Sequence, residues 1–488
     1  MSNADKDTFT SILSRMPRSY WLTCLIIMLE RFSYFLIRAA APLFLVAAGS
    51  AGLSLDYEDK IKIFTVWSTA IFCAPLVMSI FADSYGYKRF LSLGCVFGII
   101  GYAGMALVHS SYGFWMFLFA VCFAGICTGT LRPIVYGTIA RSTTNISATY
   151  VWGIYFLLIN VAGFCAPLCA GFVGGSQHFR RIAMIAGIMM TVAALLTYFF
   201  HDNHERTAKK LPFTRVCITA IGNMLSNSRF LIFSICASLS AAIYMIMWSL
   251  LYNFIEDWIV ISEFSEAGKF IPFLNADDFE EFAPEALMLI HVASMLLLVV
   301  FVSYWIRKIQ KIRAILLGIL ISLAVFILLG TYHSVLAIAI ALLILAVGDI
   351  IWITTTNAYI GITAPRNFKA VYLTYFGAIT MGIGSAINFL LAPPLSNIIN
   401  KVELAKRYMV DVLTMDTESI RDTVEFPFHS EVLDKLAETM NVTSSEATSI
   451  LWEHYHSYTV WYYLTGLGLI CFAGMFCFYR WTKNDPVS

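Results

Sequence analysis

Apolar runs of about twenty residues or more follow one another along this chain, separated by polar stretches. They fall at about Trp21–Gly49, Ile63–Ala82, Phe90–Val108, Tyr112–Ala140, Tyr150–Gly174, Ile182–Phe200, Phe230–Val260, Leu287–Ile306, Ile315–Tyr332, Val335–Thr363, Val371–Ile399 and Tyr458–Tyr479. A helix needs ~20 mostly apolar residues to cross the hydrocarbon core, so the pattern predicts roughly twelve membrane helices. Several runs exceed ~25 residues, which predicts tilt or kinks. The basic stretch Asp202–Arg229 divides the helices six and six. The expected fold class is an all-α polytopic membrane protein. A six-helix bundle over 1–201, a linker over 202–229 and a second bundle over 230–488 would pack around a central cavity. Two polar stretches are long. Ser262–Glu285 is acidic, and an outer loop at 400–456 holds E-V-L-D-K-L-A-E-T-M, a short surface-helix pattern.

Charge gives this layout a direction. Lys6, Arg15 and Arg18, then Lys88 and Arg89, then Arg206, Lys209, Lys210 and Arg215 occupy one side. Arg307, Lys308, Lys311 and Arg313, then Arg366 and Lys369, fall on the same side. The positive-inside rule makes that side cytoplasmic and puts both termini there. The opposite side carries Asp56, Glu58 and Asp59, then Glu263, Glu266, Asp277, Asp278, Glu280 and Glu281. Asn441-Val-Thr is a glycosylation sequon on the outer side, whereas Asn145-Ile-Ser is on the inner side and should stay bare.

Composition narrows the class. The chain is 59% hydrophobic and 13% charged, a balance suited to lipid. A net charge of +1 with no basic tail argues against a nucleic-acid partner. The 11 cysteines lie in or beside apolar runs, so buried thiols are expected rather than disulfides or zinc ligands. The N-terminus has no cleavable signal pattern, and the first span is expected to act as the signal.

The first span holds the candidate chemistry. L-E-R-F-S-Y-F-L-I-R-A places Glu30, Arg31 and Arg38 at bilayer depth, where charge is costly and usually faces a polar cavity with partners. That predicts a transporter. Arg31 and Arg38, seven residues apart, share a helix face, and so do Glu30 and Tyr34. The Arg31 fork suits a substrate carboxylate. Glu30 can trade a cation partner for a proton, or it can form a static pair that fixes helix packing.

Six segments then match a known pattern in order. E-R-F-S-Y-F-L-I-R-A-A at Glu30–Ala40 resembles the helix 1 signature E-R-F-x-Y-Y-x-x-R of the proton-dependent oligopeptide transporters, a branch of the major facilitator superfamily. F-A-D-S-Y-G-Y-K-R at Phe81–Arg89 is similar to the superfamily's loop 2–3 motif, and G-T-L-R-P at Gly129–Pro133 to G-G-I-K-P of helix 4. Y-F-L-L-I-N at Tyr155–Asn160, G-D-I-I-W at Gly348–Trp352 and A-P-R-N-F-K at Ala364–Lys369 resemble the helix 5, helix 10 and pre-helix 11 motifs. The matches cover about half the chain.

The resemblance implies a major facilitator fold and a proton-coupled di- or tripeptide symporter. By it, Asp349 holds the substrate's amino group and Arg31, across the cavity, the carboxylate; the other reading of Asp349 is a neutral, protonated acid capping a helix break beside Gly348. Arg132 stands where the family usually has Lys. Arg can hold an anionic group but is a poor proton carrier, and it can equally be a gate residue. Asn160 would bond substrate backbone or glue two helices. Tyr34, Phe35, Phe72, Trp248 and Phe376 fall at or near cavity-lining positions, while Arg38, Asp83, Gly86, Lys88 and Arg89 would be conformational. His291 is a lone titratable group with no partner acid visible, which reads as packing rather than a proton relay. Ile27 replaces the family's first helix 1 acid, Thr65 the helix 2 His of animal members and Phe72 the helix 2 Tyr. Tyr244–Tyr252 has no acid. Glu30 and Asp349 remain as proton candidates.

The leading expectation is uptake of small peptides or similar zwitterions by a monomer in the plasma membrane, with protons as the only candidate coupling ion and no cofactor or metal. The alternatives are a facilitator of another anionic or nitrogenous solute (nucleotide, nitrate, amino acid) and a non-transporting receptor-like protein using its 400–456 loop. No nucleophile–base pair or phosphate-cradling loop suggests an enzyme.

Overall fold

The computed structural model describes residues 9–47, 52–108, 112–144, 147–201, 213–258, 283–332, 334–415 and 429–483. Among them are 12 helices long and apolar enough to cross a membrane. We number these α1 (Arg18–Val46), α2 (Tyr57–Tyr85), α3 (Tyr87–Ala106), α4 (Gly113–Ser142), α5 (Ala148–Val173) and α6 (Phe179–Tyr198) in the first half. The second half holds α7 (Ser228–Trp258), α8 (Ala283–Ile306), α9 (Lys311–Thr331), α10 (Val335–Thr363), α11 (Lys369–Ile399) and α12 (Thr459–Thr482). The predicted runs and the helices agree to within a few residues at most ends.

Local chemistry sets several boundaries. The Asp56 side chain accepts the Asp59 backbone N–H at 2.7 Å and starts α2. Gly86, at φ 102°, ends α2 in a conformation that a side chain would strain. That lets α3 restart one residue later. Pro42, Pro75, Pro133 and Pro167 lie inside α1, α2, α4 and α5. Proline inside a membrane helix is tolerated where neighbouring helices re-satisfy the freed carbonyl. Pro75, for example, is buried against Gly129 of α4.

Large apolar side chains cover the outside of the bundle. Phe172 is 91% exposed and Trp305 80% exposed, among many others. Only lipid can cover such a surface, and the molecule is an integral multi-pass membrane protein.

The polar stretches are structured where described. Within 202–229, Phe213–Leu225 is a helix whose Ala220 packs with Ile80 of α2 and Val371 of α11. The outer loop carries helices Lys401–Asp411, His429–Met440 and Ser444–Tyr455. Asn441 is exposed between the last two, at φ 56°. Its sequon threonine, Thr443, is committed to a capping box with Glu446. Asn145 and most of the acidic stretch Ser262–Glu285 lie outside the described residues. The 11 cysteines are all free thiols.

The two halves meet at the end that carries the basic loops. Gly153 of α5 sits so close to Ser303 of α8 that an added Cβ would meet Ser303 Oγ at 2.1 Å. Gly361 of α10 faces Ala140 of α4. Small residues let these backbones approach.

Candidate functional site

Glu30 and Arg31 form a buried fork-to-fork pair on α1. Arg31 Nε and Nη2 donate to Glu30 Oε2 and Oε1, both at 2.6 Å. Thr128 of α4 completes the cluster, donating to Glu30 Oε1 at 2.5 Å and accepting from Arg31 Nη2 at 3.0 Å. The guanidinium stacks 4.5 Å from the Tyr34 ring centroid, and Tyr34 meets Trp67 edge-on at 5.3 Å. Glu30 is fully buried and Arg31 is 6% exposed. Every strong group is matched inside the first half, as a buried pair requires. The Arg31 fork is turned to Glu30, and neither residue lines the cavities of about 260 and 200 Å³ nearby. Thr128 was not foreseen, because its partners lie 97 and 98 residues away.

A cavity of about 260 Å³ lies between the halves. Arg132, Tyr136 and Phe156 line it from one half, Trp352, Asn357 and Phe376 from the other. Phe72 also lines it. Arg132 has no carboxylate within ion-pair distance among the described residues, so its fork is free for an anion. A second cavity, of about 200 Å³, lies within the second half and is lined by Tyr244, Ser322, Asp349 and Trp352. Trp352, Ile353 and Met381 line both cavities, which are therefore neighbours.

Asp349 has a partner that the sequence hid. His291 Nε2 lies 3.0 Å from Asp349 Oδ2. Both are nearly buried, at 5% and 7% exposed. The Trp248 ring stands edge-on to His291 at 5.0 Å, and Tyr244 to Trp248 at 6.0 Å. The expectation that His291 lacks an acid is corrected. The acid is 58 residues away in sequence, on α10, and only helix packing brings α8 to it.

The other expected residues are placed as follows. Asn160 donates its amide to Phe156 O of its own helix at 2.9 Å and bridges no second helix through that bond. Arg38 is exposed and lies 5.1 Å from the Phe64 ring centroid. Arg89 is exposed. Lys88 donates to Tyr198 O at the end of α6 at 2.9 Å and does not reach the second half through that bond.

Asp83 is the residue that crosses. It is 1% exposed and accepts from Tyr87 Oη at 2.6 Å and from Arg141 Nη2 at 3.0 Å. Its Oδ2 accepts the Val371 N–H at 2.9 Å, in the first turn of α11. A carboxylate from one half thus caps a helix of the other, favoured by the N-terminal dipole. The reciprocal contact runs from Lys369 Nζ to Ala140 O, near the C-terminus of α4, at 2.7 Å. Arg141 and Lys369 were absent from the expected gate, though both sit at helix ends on the basic side. Asp83→Ala is expected to weaken this closure by about 1–2 kcal/mol. That is about a 5- to 30-fold shift toward the state open at this end. Faster hydrogen exchange at 371–375 would report it, and unchanged exchange would refute the lock.

The Major Facilitator Superfamily model matches residues 23–388. A di-/tripeptide transporter of Lactococcus lactis subsp. cremoris is 26% identical over 177 residues, 35% of this chain and 35% of that protein. A peptide transporter of Yersinia enterocolitica is 26% identical over 174 residues, 35% of this chain and 34% of that one. These matches span about a third of the relatives' length. The E. coli fucose:proton symporter superposes with a TM-score of 0.61 at 12% identity, over 95% of this chain and 98% of its own. That likeness speaks for the fold alone. With twelve spans, two packed halves and a family match over three-quarters of its length, the chain belongs to the Major Facilitator Superfamily of membrane transporters.

Proposed function

We propose that the protein takes up small zwitterions, di- and tripeptides foremost, by alternating access across the plasma membrane. In this reading the basic-loop end and both termini are cytoplasmic. The observation that carries it is the adjacency of the two cavities, one lined by unpaired Arg132, the other by Asp349. A peptide has a carboxylate at one end and an ammonium at the other. Arg132 suits the first by its fork, and Asp349 suits the second, beside the aromatic faces of Tyr244 and Trp352. The partial likeness to two peptide transporters supports the same substrate class. Arg132 takes the role that the sequence offered to Arg31.

Proton coupling is part of the proposal. His291 occupies Asp349 Oδ2 and leaves Oδ1 for an ammonium. The hydrogen bond between the two side chains offers a place where one proton can be held. Glu30, bonded on both oxygens, is the poorer candidate.

The test is uptake of labelled dialanine into liposomes holding the full chain, with and without an inside-alkaline pH gradient. Gradient-driven accumulation is expected. Uptake indifferent to the gradient would remove coupling, and no uptake would remove the peptide class. A second reading, a purely anionic solute such as nitrate or a nucleotide, draws on the free Arg132. Competition by nitrate or a nucleotide, with none by dialanine, would favour it.

A further inference from the structure

A third cavity, of about 470 Å³, opens at the basic-loop end and is distinct from the transport cavities. Arg141 and Ser19 line it from the first half, Arg366, Asn367 and Lys369 from the second, and His201 from the end of α6. Among the described residues, no carboxylate lines it. Arg141 and Arg366 both lie within electrostatic reach of Lys369, so three cations converge. One acid, Asp83, faces the group through Arg141. Among the described residues, three positive side chains against one negative leave an excess of two, before any proton on His201. Like charges held close by packing repel, and a bound polyanion relieves that repulsion. Arg141 and Lys369 are held by their gate partners, while Arg366 is exposed and has no ion-pair partner among the described residues.

We propose that this cavity binds a phosphate-bearing ligand and that the ligand locks the transporter shut at this end. Arginine forks, a lysine, a hydroxyl and an amide are the donors that a phosphate's oxygens accept from. The cations come from both halves, so the set exists only while the halves are closed here. A ligand that needs the assembled set binds that state better and shifts the equilibrium toward it. At a concentration ten times its Kd, such a ligand multiplies the closed-to-open ratio by about 11. The phosphate source is either a soluble phosphorylated solute or the headgroup of a phosphoinositide in the facing leaflet.

The experiment uses the purified full chain. Pyrophosphate is titrated in neutral phosphatidylcholine nanodiscs, against chloride at matched ionic strength. Separately, nanodiscs containing phosphatidylinositol 4-phosphate are compared with phosphatidylcholine alone. Hydrogen exchange at 138–142 and 364–371 reads closure. Slower exchange in both segments with pyrophosphate, and none with chloride, is expected for a soluble ligand. Slowing only with the phosphoinositide assigns the headgroup. Arg366→Gln removes a cation that makes no cross-half bond, so its basal exchange and thermal midpoint should match the native chain while its response falls at least tenfold. No slowing from either phosphate source in the native chain would overturn the proposal. A full response in Arg366→Gln would overturn it as well.

Discussion

Glu30→Gln is expected to destabilise the first bundle by about 3–5 kcal/mol, the usual cost of removing one partner from a buried ion pair. The reason is geometric. Arg31 is 6% exposed, and its fork meets Glu30 on both oxygens at 2.6 Å. Without the carboxylate, a guanidinium that cannot lose its charge stays inside the bundle with Thr128 and the Tyr34 ring for company. Thermal unfolding in detergent would register a fall of several degrees. The informative partner is Glu30→Leu with Arg31→Met. A strut can be replaced by an apolar pair of similar volume at little cost. The double variant is therefore expected to recover stability and to transport dialanine. Stability without transport would return Arg31 to the substrate.

Asp349→Asn carries the second large effect. The ammonium of a zwitterion would lose a charge-assisted partner worth about 2–3 kcal/mol. This predicts about a 30- to 150-fold rise in apparent KM for dialanine. N-acetyl-dialanine has no ammonium, so its weaker competition should be unaffected. Equal losses for both would show that Asp349 shapes the pocket without reading the amine. His291→Gln separates recognition from coupling. It leaves the carboxylate in place but removes the group that shares a proton with it across 3.0 Å. Uptake by the native chain should rise as the outside is acidified. In His291→Gln that rise should flatten while uptake at saturating dialanine persists. A pH profile identical to the native one would move coupling away from this pair. Tyr244 and Trp248, polar groups beside the pair, are the next positions to test.

The gate shows where sequence motifs reach and stop. Phe81–Arg89 pointed to Asp83 and Gly86. Asp83 crosses to α11, and Gly86 at φ 102° turns the chain. The motif also offered Lys88 and Arg89, yet Lys88 bonds α6 and Arg89 is exposed. The cations found there are Arg141, which bonds Asp83, and Lys369, which bonds Ala140 O across the halves, from different helices. A short motif fixes residues on one turn. It says nothing of which distant helix end arrives opposite.

The sequence by itself determined the twelve spans, the division into halves, the sidedness of charge and the presence of ionisable residues at membrane depth. These follow from hydropathy over about twenty residues and from the price of charge in lipid, both local quantities. Tertiary structure decided the partners. It turned Arg31 toward Glu30 and Thr128, placed Arg132 on the cavity between halves with no carboxylate partner among the described residues, and set His291 beside Asp349 across 58 residues. Partner choice depends on helix rotation and crossing, which arise from packing small residues such as Gly153 against neighbours far away in the chain. Hydropathy counts residues in a window and cannot see that rotation.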